Sequence, residues 1–145
     1  MKKILFIIII CLLLLTGCTK KITIDNNKKK GDTKMSDIKV IINDKTYTAK
    51  LEDNKTAKEF VDILPQEFTM NDLNDNEKYV YLNNSLTTNS YKPKQIEKGD
   101  IMIFGDNCLV IFYKSFDTSY SYTKIGHIDN LDIIEKESIN VIFEK

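Results

Sequence analysis

The sequence predicts a mostly-β domain over residues 38–145, a barrel or sandwich of short strands with one main helix. Three observations carry that prediction. Short apolar segments repeat with a period of two. Turn signals such as Lys98-Gly99-Asp100 and Gly105-Asp106-Asn107 separate them. One segment, residues 56–64, has helical periodicity instead.

Taken in order, residues 38–42 read as a strand, Asn43-Asp44-Lys45 as a tight turn, and residues 46–52 as the returning arm, with Tyr47, Ala49 and Leu51 alternating. Thr56-Ala57-Lys58-Glu59 matches a capping box, with the Thr56 hydroxyl accepting from the Glu59 N–H and the Glu59 side chain reaching back. Ala57, Phe60, Val61 and Leu64 then fall on one helical face, and Pro65 ends the helix. Strands follow at 67–70 and 78–82, then a polar loop to about Lys94. Further strands read at 101–104, 108–114 and 124–128, with a Tyr-containing loop over 115–123. Residues 130–135 suit a helical turn. The last strand, 138–144, alternates Ile139, Val141 and Phe143.

Residues 1–17 read as a signal peptide. Lys2 and Lys3 precede an apolar run over 4–15, too short for the roughly 20 residues of a membrane span. Leu15-Thr16-Gly17-Cys18 then fits a lipobox: an apolar residue, two small ones and the cysteine whose thiol takes a diacylglyceryl group. Two acyl chains hold stably where one binds reversibly. The expected address is therefore the cell membrane, lipid-anchored at Cys18 and facing the extracytoplasmic side. Residues 18–37 read as a flexible basic tether.

The whole chain has no net charge, but its parts do. Residues 19–37 carry six Lys against three Asp; residues 38–145 carry 13 Lys against 18 acidic groups. An acidic folded domain argues against a nucleic-acid partner, since phosphate is repelled. After cleavage 128 residues remain, enough to bury roughly two-thirds of the unfolded surface without disulfides.

Candidate chemistry is sparse. His127 is the lone histidine, and no spacing of His, Cys or carboxylates suits a metal, so none is expected, nor any cofactor. Residues 72–77 resemble the start of a calcium loop, but Glu77 and Asn83 stand where a glycine and an acid are required. Cys108, beside Leu-Val-Ile-Phe, reads as a buried, inert thiol. Tyr79, Tyr81, Phe104, Phe112, Tyr113, Tyr120 and Tyr122 crowd the second half. Tyr113, Tyr120 and His127 are the candidates for a ligand groove, as strand ends and loops line such grooves. No catalytic residues are assigned.

Three stretches carry a family resemblance: Leu51 to Pro65 (LEDNKTAKEF…ILP), Glu97-Lys98-Gly99-Asp100-Ile101, and Asn107 to Lys114 (NCLVIFYK) followed by Lys124-Ile125-Gly126-His127-Ile128. In this order and spacing the chain resembles the small bacterial cyclophilin-like domain family across residues 38–145. The resemblance implies a closed barrel of about eight strands, with the helix over 56–64 covering one opening. True cyclophilins hydrogen-bond the prolyl nitrogen with an arginine, and this sequence has none. Lysine lacks the planar guanidinium fork. The expected function is a membrane-anchored module that binds a small ligand, peptide or protein without catalysis. The alternative is a divergent peptidyl-prolyl isomerase or folding helper.

Overall fold

A computed structural model describes residues 37–132, 134 and 137–145. The expected signal peptide, Cys18 and all of the tether but Asp37 lie outside the described residues, as does part of the helical turn expected over 130–135. The elements run β1 (Ile38–Ile42), β2 (Lys45–Leu51), α1 (Lys55–Asp62), β3 (Gln66–Leu73), β4 (Glu77–Tyr81), β5 (Gln95–Ile96), β6 (Asp100–Phe104), β7 (Cys108–Phe112), β8 (Phe116–Asp117), β9 (Tyr122–Ile128) and β10 (Ser138–Glu144).

Eight strands close into a barrel in the order β1-β10-β3-β4-β7-β6-β9-β2, every pair antiparallel. Closure removes the free edges of the sheet. Two of its turns rest on paired residues with positive φ, Asn43 with Asp44 and Asn74 with Asp75. A tight hairpin needs left-handed backbone at both central positions, and Asn and Asp tolerate it. The second turn occupies the segment that resembled a calcium loop. Its Asp72 carboxylate is taken up by the Asp75 N–H, Lys78 and Tyr113.

Burial follows position in the barrel. β1 and β10 alternate, sending Val40, Ile42, Ile139, Val141 and Phe143 into the interior. β7 is buried at all five positions. Its Leu109 and Ile111 face the interior, while Cys108, Val110 and Phe112 join a second cluster on the outer face with Ile96, Met102 and Tyr122. β5 and β8 pair with each other and cover that face. A strand covered on both sides reads as a continuous apolar run.

The helix differs from its expected form at both ends. Asn54, not Thr56, is the N-cap: its Oδ1 accepts from the Ala57 N–H at 2.8 Å. The Thr56 hydroxyl instead donates to the Thr87 carbonyl, and the Glu59 carboxylate accepts from the Thr87 N–H and hydroxyl. The pair that spells a capping box thus ties the helix to the 82–94 loop. Ile63 caps the C-terminus. Phe60 is fully buried and meets Phe143 edge to face at 5.2 Å, at the end where β10 finishes.

The opposite end holds a polar group inside the wall. Lys78 is fully buried, with its ammonium 2.5 Å from Asp72 Oδ1 and 5.0 Å from the centre of the Tyr113 ring. The Tyr113 hydroxyl donates to the same carboxylate at 2.7 Å. Burial alone would raise Asp72; the bonds from Lys78 and Tyr113 outweigh it and hold the carboxyl below the usual range.

Candidate functional site

The outward row of β4 is Glu77, Tyr79 and Tyr81, since Lys78 and Val80 face the interior. Tyr79 and Tyr81 meet edge to face at 6.0 Å. Opposite them runs the segment from Phe116 to Tyr122. Phe104 bridges its far end, 6.1 Å from the Tyr120 ring and 5.6 Å from the Tyr122 ring. Between these walls lies a groove of about 550 Å³, with Cys108 and Val110 of β7 also lining it.

Apolar side chains gather on its surface. Five large apolar side chains are prominently exposed among the described residues, and four of them, Leu73, Tyr81, Phe104 and Tyr120, line this groove. Scattered apolar residues are ordinary, but a gathered patch marks a surface used for contact.

Glu77 stands at one end of the groove and is 8% exposed. Burial, and behind it the negative charge of Asp72, pushes its carboxyl up to about 7. Burial and the Glu77 charge push the Tyr122 phenol up to about 12, and the same two causes raise the Cys108 thiol. Cys108 is therefore a protonated, poorly nucleophilic group in the groove.

The three residues expected to share a groove stand in three places. Tyr120 lines this one, with an exposed ring. Tyr113 is 2% exposed inside the barrel, its hydroxyl on Asp72. His127 Nδ1 lies 2.9 Å from Asp100 Oδ1, which Lys124 also contacts at 2.7 Å. Glu77 was not singled out by the sequence. The signal for it was present: Glu77, Tyr79 and Tyr81 at every second position put an acid in line with two aromatic rings.

A second hollow of about 410 Å³ lies between the start of α1, the 87–91 loop and β9. Its polar groups are largely spent on one another: Asn54 Nδ2 on the Lys124 carbonyl, Thr56 on Thr87, and the Asn89 N–H on Thr123 Oγ1. Among the described residues, no three His, Cys, Asp or Glu side chains gather closely enough to hold a metal.

A family model described as the cyclophilin-like family matches residues 40–144, nearly the whole barrel. No curated protein and no solved structure matches the chain.

Proposed function

Since the chain belongs to the cyclophilin-like family, we propose that it is a binding module without catalysis, held on the outer side of the cell membrane by a lipid on Cys18, with its ligand in the groove beside β4. The observation that carries this is the gathering of Tyr81, Phe104 and Tyr120, all exposed, around one hollow. Exposed aromatic rings on a rigid sheet offer contact area at low entropic cost.

Three features argue against turnover. The sequence has no arginine to meet a prolyl nitrogen. The one thiol in the groove is raised rather than lowered. The lone histidine is bonded to Asp100, a residue that does not line the groove. The lipobox around Cys18 supports the anchor.

The test is cis/trans exchange of Xaa-Pro peptides, followed by NMR with the full chain present. The expected rate is the uncatalysed one. Acceleration that disappears on Tyr81→Ala would replace this reading with an isomerase. Separately, Cys18→Ser is expected to abolish incorporation of labelled acyl chains; undiminished labelling would remove the anchor from the proposal.

A further inference from the structure

Glu77 is more than nine-tenths buried as a residue and lines the groove, yet its carboxyl has no hydrogen bond and no ion pair among the described residues. Asn76, its neighbour in the same lining, keeps a buried Oδ1 that also lacks a hydrogen-bond partner there. Buried polar groups are nearly always satisfied, and each exception needs an explanation. Glu77, which lines the hollow, is such an exception.

We infer that the groove is a site for an organic cation, an ammonium group carried on an apolar or aromatic stem, with Glu77 as its counter-charge. This rests on the reading of the groove as the ligand site. The lining itself chooses the sign. It contains two acids, Glu77 and Asp117, and no basic residue among its described members. An anion would meet like charge. A neutral apolar ligand would seal the Glu77 carboxyl away from water and leave it unsatisfied. An ammonium carries three donors and no acceptor, and so can serve the carboxylate. Tyr79, the next residue along the same face from Glu77, offers a ring to the cation, and Tyr81 and Tyr120 offer contact to its stem.

The titratable groups around Glu77 are Tyr79 on its own strand, Asp72 on β3, Cys108 on β7, Asp117 on β8, Tyr120 ahead of β9 and Tyr122 at its start. Lys78, the adjacent cation, is turned to Asp72 on the opposite face. Cation binding therefore strengthens as pH rises and Glu77 ionises.

The probes are phenethylamine, which stays protonated, and 2-phenylethanol, its uncharged isostere, titrated into the full chain in lipid nanodiscs with NMR detection at the tyrosine rings. The amine is expected to shift Tyr79, Tyr81 and Tyr120, to bind more tightly at about pH 8 than at pH 5, and to outcompete the alcohol. Glu77→Gln is expected to weaken the amine roughly tenfold to a hundredfold, the loss of one charge-assisted bond. Tyr81→Ala, at an exposed ring, weakens it several-fold and serves if the first variant folds poorly. A third probe, N-acetyl-Phe-Lys-amide, separates a peptide-borne ammonium from a free amine, and saturation by either supports the assignment. Equal binding of amine and alcohol, or an affinity unmoved by Glu77→Gln, overturns the cation and leaves the groove as a ligand site. A folded protein whose groove responds to no probe overturns both.

Discussion

Glu77 and Lys78 are neighbours in β4 that point to opposite faces of the barrel wall. The lysine finds Asp72 at 2.5 Å inside; the glutamate finds no counter-charge outside among the described residues. The same alternation that buries both gives one a partner and leaves the other to a ligand.

That difference makes stability fall with pH across the Glu77 titration. An acid whose folded pKa exceeds its unfolded one stabilises the fold below the unfolded value and loses that contribution as pH climbs. For Glu77 the window runs from 4.5 to about 7. Urea unfolding is expected to show a loss of about 3 kcal/mol across it, and Glu77→Gln is expected to flatten the curve. A profile flat in the native protein would mean that Glu77 is solvated.

Asp72 carries the interior pair. Asp72→Ala removes the acceptor shared by Lys78 and Tyr113 and is expected to cost about 3–5 kcal/mol, as breaking a buried ion pair does. Lys78→Met fills the same space with an apolar chain and is expected to cost less. The reverse order in denaturant midpoints would remove the pair from the account of the core.

Asn54 takes the cap that the sequence places on Thr56, and Thr56 ties the helix to the loop instead. Asn54→Ala is expected to cost about 1 kcal/mol by removing the helix cap. Thr56→Ala loosens the loop at Thr87 instead, seen as faster amide exchange at Thr87 with α1 still protected. Fraying of α1 in the Thr56 variant would restore the capping box.

Gly99 is fixed by its backbone. It has a φ of 101°, and a Cβ there would lie 2.2 Å from the Ile128 carbonyl oxygen. Gly99→Ala is expected to lower the melting temperature sharply or prevent folding, since β6 and β9 would have to separate. Gly105→Ala, at a positive φ but in open space, is expected to do much less.

The fold was legible where the cause is local. Alternation gave β1 and β10, paired Asn and Asp gave the turn after β1, and the apolar face around Phe60 gave α1. The cap was misplaced because Thr56-x-x-Glu59 is a local pattern whose partner, Thr87, lies 31 residues on. β5 and β8, two residues each, are too short to show a period.

The groove was less legible because its walls come from β4, β7 and the segment around Tyr120, which only the barrel brings together. Tyr113 and Tyr120 look alike in sequence. One extra step along β7 turns Tyr113 inward onto Asp72, while Tyr120 sits in a loop with its ring in solvent.

The most direct measurement is the titration of the Glu77 side-chain carboxyl by carbon NMR in the full chain, alone and with saturating phenethylamine. The account predicts a midpoint near 7 in the free protein, and a fall toward the ordinary carboxylate range when the cation binds. An ordinary midpoint in the free protein, or a midpoint unmoved while the amine occupies the groove, would contradict it.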